Sequence, residues 1–318
     1  MKRFTNLYRE ICSIENLQAA DVIARKGKSK QYGVIHHDRS RESNILALHE
    51  ALMNKTYRTS QYSTFKVYEP KERVVFRLPY YPDRIVHHAI MLHMEKIFVA
   101  CFTADTYSCI KGKGIHAGST YIKKALTDEP ATRYCLKLDI TKFYPSVDHD
   151  ILKSLLRRKI KDHDLLWLLD EIIDSAPGLP IGNYLSQYLA NFYLTYFDHW
   201  IKEVKGIRCY IRYADDMAFF AATKEELHAL LHDIKKYLRE FLRLEVKGNH
   251  RVSPITDEIC LDMLGYQHFR RYTLVRKSIK QNIARSAAKG MSVATRASYY
   301  GWLKWCDSIN LTKKLLAA

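Results

Sequence analysis

Residues 209–222 read Cys209-Tyr210-Ile211-Arg212-Tyr213-Ala214-Asp215-Asp216-Met217-Ala218-Phe219-Phe220-Ala221-Ala222. Two apolar runs flank one short polar interruption, the pattern of a β-hairpin with strands Cys209 to Tyr213 and Met217 to Ala222 and adjacent acids at its turn. Thr223 and Glu226 form a capping box that opens a helix to about Leu242. Upstream, the apolar run Cys135 to Leu138 ends at Asp139, and neighbouring strands would set this third carboxylate beside Asp215 and Asp216. Asp-Asp at a turn is ordinary turn chemistry. Three clustered carboxylates are different: they repel one another and are costly to desolvate, so a purely structural role would be an odd use of them.

Hard divalent cations remove that cost. Phosphoryl transfer uses two Mg²⁺ ions held by oxygen ligands, one activating the attacking 3′-hydroxyl and one stabilising the triphosphate leaving group. In this reading Asp139 and Asp215 bridge two Mg²⁺ ions, for which Mn²⁺ can substitute, Asp216 supports them, and the backbone carbonyl of Ile140 is a further ligand.

Composition points the same way. The 318 residues are 47% hydrophobic and carry 51 Lys and Arg against 34 Asp and Glu, a net charge of +17. Such a chain is globular, and its charge suits a polyanionic partner. With no apolar run of membrane-spanning length and no signal peptide after Met1-Lys2-Arg3, a soluble, cytoplasmic protein is expected, with no membrane partner. Seven scattered cysteines, never spaced Cys-x-x-Cys, argue against a disulfide framework or a zinc site.

The remaining chain reads as helices at the N-terminus (Phe4, Leu7, Ile11, Ile14 at helical spacing) and near Asn44 to Met53. A hairpin follows, with Phe65 to Tyr68 and Val74 to Leu78 joined by Glu69-Pro70-Lys71-Glu72. Helices are expected at about 82–99, 116–127, 148–160, 164–174 and 184–203, a β-rich run at 133–140, and short strands around Leu244 and from Met263 to Phe269 before a helical C-terminus. An antiparallel sheet covered by helices on one side is an α+β fold.

Three motifs in order make this chain resemble a palm-type polymerase. Asp139-Ile140-Thr141-Lys142-Phe143-Tyr144 looks like motif A. Leu179-Pro180-Ile181-Gly182-Asn183-Tyr184-Leu185-Ser186-Gln187 looks like motif B, and Tyr213 to Asp216 like motif C. Leu264-Gly265-Tyr266 resembles the primer-grip motif E. Tyr68 to Arg73, Asp83 to Ala89 and Tyr107 to Gly114 resemble the fingers motifs of bacterial reverse transcriptases. Ordered motifs are far more specific than any one of them. In motif B an aliphatic Ile181 and the Ser186-Gln187 ending are similar to reverse transcriptases of diversity-generating retroelements, in the group II intron-like superfamily. Some other bacterial reverse transcriptases, including antiviral-defence enzymes, share the Ser-Gln ending.

That resemblance implies a right-hand polymerase fold of fingers, palm (an antiparallel sheet backed by helices) and short helical thumb. Its parts would be 1–135 for the N-terminal helices and fingers, 136–265 for the palm, and 266–318 for the primer grip and thumb. It also implies an RNA-directed DNA polymerase that makes cDNA from a retroelement template RNA, error-prone opposite template adenines. Its partners would be template RNA, the RNA–cDNA hybrid, dNTPs and a small basic helical accessory protein. A non-mutagenic or antiviral-defence bacterial enzyme is the alternative.

Roles carry over position by position, each beside a simpler reading. Tyr144 stands where the family excludes a ribose 2′-hydroxyl, with core packing as the alternative. Lys71 and Arg73 would grip the incoming triphosphate, or form a solvated turn. Ile181, Gly182 and Gln187 would face nucleotide or template, or simply build a turn and helix. Lys247 is expected near the leaving phosphate, with Arg251 competing because the local register is ambiguous. Leu264, Gly265 and Tyr266 would form the primer grip. From Arg270 to Lys289 there are seven Lys or Arg and no acid; Arg270, Arg271, Arg276, Lys277 and Lys280 would track nucleic-acid phosphates. His87 and His88 diverge by about 100° on a helix and cannot chelate together, which makes them structural.

Overall fold

The computed structural model describes residues 3–68 and 72–316. It divides into two compact units. The first comprises Met1–Phe102, Lys142–Tyr196 and Leu242–Leu244; the second comprises Thr103–Thr141, Phe197–Phe241 and Glu245–Ala318.

The first unit is mostly helical. Its long helix Ile85–Cys101 buries Val86, Ile90, Met94 and Phe98. Phe98 lies 5.3 Å from Phe192 of the helix Tyr184–Tyr193. The N-terminal helices Ile14–Ala24 and Arg41–Met53 are tied down by fully buried Asp21, which accepts hydrogen bonds from Arg25 at 2.8 Å, Arg41 at 2.6 Å and the Tyr80 hydroxyl at 2.5 Å. A two-stranded ribbon, β1 (Ser63–Tyr68) and β2 (Glu72–Arg77), is antiparallel in the register Val67↔Arg73. It matches the expected hairpin, while its turn, including Lys71, lies outside the described residues. The expected helix over 184–203 is interrupted at Leu194.

The second unit is built on a four-stranded antiparallel sheet in the order β4-β5-β3-β6, with β3 at Tyr134–Leu138, β4 at Tyr210–Tyr213, β5 at Asp216–Ala221 and β6 at Arg251–Pro254. Alternation puts Cys135, Ile211, Ala218 and Phe220 on one face, packed with Ile122 and Leu126 of the helix Ile115–Leu126. Leu136, Leu138, Tyr210, Met217 and Phe219 on the other face are also buried, with Tyr210 stacked on Phe219 at 4.7 Å. The sheet is therefore covered on both faces rather than one. The unbroken run Met-Ala-Phe-Phe-Ala in β5 reflects this, since a strand buried on both sides has no polar face to alternate with.

A smaller sheet joins β7 (Leu261–Met263), β8 (Tyr266–His268) and β9 (Thr273–Val275), followed by helices Lys277–Ala288, Val293–Leu303 and Ile309–Leu316. All seven cysteines are free. Among the described residues, no helix is long and apolar enough to cross a membrane.

In the first unit, Phe76 N–H donates to the Ile181 carbonyl at 2.8 Å, seating β2 against the turn before the Tyr184–Tyr193 helix. Gly182 sits at φ +119°, and a Cβ there would lie 2.4 Å from the Phe76 carbonyl oxygen. Gly182→Ala is expected to cost at least about 2 kcal/mol, from strained backbone plus a clash with main chain that cannot rotate away. Gly27→Ala, at φ +71° with open space around it, should cost about 1 kcal/mol. Urea denaturation of the two variants checks the difference, and equal losses would contradict the close approach.

Candidate active site

The three acids converge because of strand register. β3 and β5 pair as Leu138↔Met217, so one step further Asp139 faces Asp216, and alternation puts Lys137, Asp139 and Asp216 on the same face. The Tyr213↔Asp216 pair closes β4 onto β5 and leaves Ala214 and Asp215 as the turn. Ala214 is held at φ +55°, a left-handed conformation that costs a non-glycine residue roughly 1–2 kcal/mol.

The Asp139 and Asp215 carboxyl groups share a hydrogen bond. Burial, then that bond and the Asp139 charge, hold Asp215 well above the usual carboxylate range. Burial also pushes Asp216 up to about 6, opposed by Lys137. The Lys137 ammonium is 3.6 Å from Asp216 Oδ1, an ion pair too long for a hydrogen bond, and among the described residues this buried oxygen has no hydrogen-bond partner. Lys247 donates to Asp139 Oδ2 at 3.0 Å. Main chain fixes Lys247 there: Thr141 N–H donates to the Glu245 carbonyl at 2.8 Å and Lys247 N–H to the Asp139 carbonyl at 2.9 Å. This pairing leaves the Ile140 carbonyl on the other edge of the strand. Arg251 instead opens β6, opposite Lys137.

Among the described residues, no group of three His, Cys, Asp or Glu side chains is arranged to hold a metal ion, with Asp139 and Asp216 each drawn to a lysine. The donor chemistry fits a hard divalent cation all the same. All the donors are oxygens, one of them is buried without a hydrogen bond, and the carboxyls destabilise each other's charged forms.

Behind the turn lies a device that the sequence did not announce. Arg212 and Asp198 are both fully buried, and Arg212 reaches Asp198 through Nε at 2.8 Å and Nη2 at 2.5 Å. The Tyr210 hydroxyl donates to Asp198 Oδ1 at 2.8 Å and Thr106 Oγ1 to Asp198 Oδ2 at 3.1 Å. Arg212 Nη1 also donates to the Ala214 carbonyl at 3.2 Å, so a charged hydrogen bond braces the strained turn that carries Asp215. No spacing rule links an arginine on a strand with an aspartate fourteen residues earlier on a helix.

In the first unit, the structure ties together the pieces of motifs A and B. Leu179 N–H donates to the Tyr144 carbonyl at 2.8 Å, and Asn183 Nδ2 donates to the Tyr62 hydroxyl at 2.8 Å. The Tyr144 ring is half-buried, edge-on to buried Phe143 at 5.6 Å. Ile181 is half-buried, and Gln187 and Arg73 are exposed. The need for glycine at Gly182 comes from the protein's own Phe76 carbonyl. Beside Gly182 and Asn183 is a cavity of about 100 Å³ lined also by Lys28, Arg84, His87 and His88. Burial and then mutual repulsion lower the pKa of Lys28, and burial leads the same shift in Arg84. Burial holds His87 at about 3 and His88 at about 4, so both are neutral, and His88 stacks on Tyr184 at 4.6 Å.

The expected primer-grip and thumb residues behave less uniformly. Leu264 (φ +58°) and Gly265 (φ +83°) form the turn between β7 and β8, and a Cβ on Gly265 would strike Trp302 at 2.6 Å. Tyr266 is fully buried, bonded to His116 Nδ1 at 2.8 Å and donating to the Trp302 carbonyl at 3.0 Å. Arg270 turns inward, donating to the carbonyls of Leu126 at 3.0 Å, Thr132 at 2.8 Å and Ile255 at 3.1 Å, so its guanidinium serves the fold instead of a nucleic-acid face. Arg271 pairs with Asp257 and Arg276 with Asp262. Lys277 and Lys280 are exposed.

The fold mixes helix and sheet, with the acid cluster at the end of one sheet face. The sequence pattern of the family described as Reverse transcriptase (RNA-dependent DNA polymerase) matches residues 68–253, more than half of the chain, and the protein belongs to that family. It is similar to Protein YkfC of Escherichia coli strain K12, 25% identical over 280 residues that cover 71% of this chain and 73% of that one. It is also similar to Group II intron-encoded protein LtrA of Lactococcus lactis subsp. cremoris, 22% identical over 219 residues, 64% of this chain and 36% of LtrA. Apo telomerase from Candida tropicalis shares the fold at a TM-score of 0.52 and 11% identity, covering 78% of this chain and 52% of that chain.

Asp198→Asn leaves buried Arg212 without its counter-charge and is expected to destabilise the protein by about 3–5 kcal/mol. Asp198→Leu combined with Arg212→Met should recover most of that stability, because a well-packed apolar pair can replace a buried ion pair. Nucleotide addition by the double variant should remain roughly ten- to a hundredfold slow, since the Ala214 carbonyl has lost its donor and Asp215 its fixed position. Denaturation and single-turnover primer extension together check this; a stable double variant of normal rate would reduce the pair to core filling.

Proposed function

We propose that the chain is an RNA-directed DNA polymerase that makes cDNA from a retroelement template RNA. The observation that carries this reading is the hydrogen-bonded pair Asp139 and Asp215, with Asp216 in register beside them at the end of one sheet face. Membership of the reverse transcriptase family supports it. Asp139, Asp215, Asp216 and the Ile140 carbonyl would hold two Mg²⁺ ions, or Mn²⁺ in their place. Bound there, the ions would lower the pKa of a primer 3′-hydroxyl and neutralise a triphosphate.

The chain's own groups supply the rest. Lys247, already beside Asp139, offers positive charge and a proton to the departing pyrophosphate. Arg73 on β2, together with Lys71 two residues earlier in the sequence, binds the incoming triphosphate. Tyr144, its main chain locked to Leu179, stands against a 2′-hydroxyl and so selects dNTPs. Gln187 and the Gly182 turn face nucleotide or template, and the Lys28–Arg84 cavity suits a template phosphate because, among the described residues, neither of its two half-buried cations forms an ion pair with an acid. Leu264, Gly265 and Tyr266 act on the primer through main chain, and Lys277 and Lys280 contact the hybrid.

Within this class, Ile181 and the Ser186-Gln187 ending support a diversity-generating retroelement enzyme that miscopies template adenines and works with a small basic helical accessory protein. A non-mutagenic or antiviral-defence bacterial reverse transcriptase is the second reading.

Asp215→Asn removes a metal ligand and leaves the basic surfaces intact. Nucleotide addition should fall at least about a hundredfold while RNA affinity stays within a few fold. Near-normal primer extension by this variant would remove the catalytic assignment.

Ile181 offers no side-chain hydrogen bond to brace a nucleotide. Frequent error at one template base means a discrimination there of only about 1 kcal/mol, so one restored contact is large enough to matter. Ile181→Gln is expected to raise accuracy selectively opposite adenine. Sequencing cDNA made from one RNA by both proteins decides it, and an adenine error rate that is already low in the wild type, or unmoved by the change, returns the enzyme to the non-mutagenic reading.

A further inference from the structure

The N-terminal segment of the first unit is held by a single parallel β-bridge between Phe4 and Ile160. Phe4 N–H donates to the Lys159 carbonyl at 2.9 Å and Lys161 N–H to the Phe4 carbonyl at 2.8 Å. Asp162 fixes the next residues by accepting from Leu7 N–H at 2.7 Å and Tyr8 N–H at 2.9 Å. This main-chain pairing brings Arg3 beside Arg158 and Lys161, and with Thr5 and Tyr196 they line an open cavity of about 660 Å³.

Charge around this cavity is uncompensated. Among the described residues, none of Arg3, Arg158 and Lys161 forms an ion pair with a carboxylate, although neighbouring cations do: Arg157 pairs with Asp170 at 2.5 Å and Lys153 with Asp174 at 2.5 Å. The nearby acids are spoken for, Asp162 by three backbone N–H groups and Asp164 by Lys55. The Arg158 guanidinium lies over the Tyr196 ring, 5.1 Å from its centroid, which orients its planar donor edge. Among the described residues, the buried Tyr196 hydroxyl has no hydrogen-bond partner.

Three like charges gathered at one concavity repel one another, and a polyanion relieves that repulsion. A flat guanidinium stacked on an aromatic ring is suited to a phosphodiester oxygen pair. We propose that Arg3, Arg158, Lys161 and Tyr196 form a second nucleic-acid surface, which takes the phosphodiester backbone of a single strand over about one to three nucleotides. It shares no lining residue with the Lys28–Arg84 cavity or the acid site. The inference deepens the polymerase reading and rests on it for the identity of the polyanion, while its test reads binding alone.

The experiment compares the full-length wild type with Arg3→Gln/Arg158→Gln/Lys161→Gln by fluorescence anisotropy, using labelled 30-nucleotide RNA and DNA of one sequence across a salt series without divalent ions. Loss of three phosphate contacts should flatten the log Kd against log salt slope by about two units, since each single-strand contact contributes about 0.7. A matched control, Lys55→Gln/Lys153→Gln/Arg157→Gln, removes the same net charge from cations already paired with acids and should move the slope by less than a third as much. A change confined to RNA assigns the surface to the template, and one confined to DNA assigns it to the cDNA strand. An unchanged slope for both nucleic acids, or an equal change in the control, overturns the proposal. Should the triple variant unfold, photo-cross-linking of wild type to 4-thiouridine RNA and to 4-thiothymidine DNA decides: the proposal expects a cross-linked peptide containing Tyr196 from at least one of them, and its absence from both counts against it. Failure of the wild type to extend a primer would contradict the polymerase reading without moving these binding results.

Discussion

Mutual repulsion of three carboxylates at one end of a sheet face is the constraint on which the second unit depends. Antiparallel register puts Asp139 and Asp216 opposite each other, and the hairpin turn adds Asp215. Left alone, this arrangement would drive the strands apart or protonate the acids. Lys137 and Lys247 each set a positive charge against one acid, and both are held by main chain of their own unit. Lys137 donates to the Asp262 carbonyl at 2.5 Å, and the Asp262 carboxylate holds Arg276 at the start of the following helix. The charge of Asp216 is thus linked through two side chains to the base of the C-terminal helices.

The turn itself is strained, and the strain is resisted from the buried side of the sheet. Arg212 neutralises Asp198, engages Thr106 and reaches the Ala214 carbonyl, so one guanidinium joins the sheet, the preceding helix and the turn that carries Asp215. A buried ion pair is weak support for stability by itself. Its value here is positional, because an Asp215 carboxylate that wanders by an ångström is a poor ligand or acid. In the first unit, main chain does the equivalent work. Carbonyls of Tyr144 and Ile181 accept from Leu179 and Phe76, and the contact at Gly182 leaves no room for a side chain.

Much of this was legible in the sequence where the signal was local. The Tyr213–Asp216 hairpin, the Asp139 strand end, the helix opened by Thr223 and the β1–β2 ribbon all follow from short-range patterning, and the structure has each close to its expected bounds. Strand β6 was not legible, because Arg-Val-Ser-Pro holds one strongly apolar residue and a proline, and only its place at the edge of the sheet makes it a strand. The partnership of Arg212 with Asp198 depends on tertiary contact that no periodicity encodes. The same limit applies to the basic stretch after motif E. Seven cations without a local acid read as one phosphate-tracking face, yet Arg270 caps buried carbonyls while Arg271 and Arg276 meet acids brought from Asp257 and Asp262. Gly182 is expected to face nucleotide or template; what the structure sets against it is the Phe76 carbonyl of the protein's own β2, a tertiary contact that no local pattern encodes.

The central claim is that these acids make the chain a template-directed DNA polymerase. The most direct measurement is incorporation of labelled dNTPs onto a primer annealed to an RNA of mixed sequence, in Mg²⁺, with the product sequenced. The account predicts DNA complementary to the RNA, synthesised only when template, primer and divalent ion are all present, and little product when rNTPs replace dNTPs. Addition that ignores the template sequence, or no addition by folded protein that binds the RNA, would contradict it.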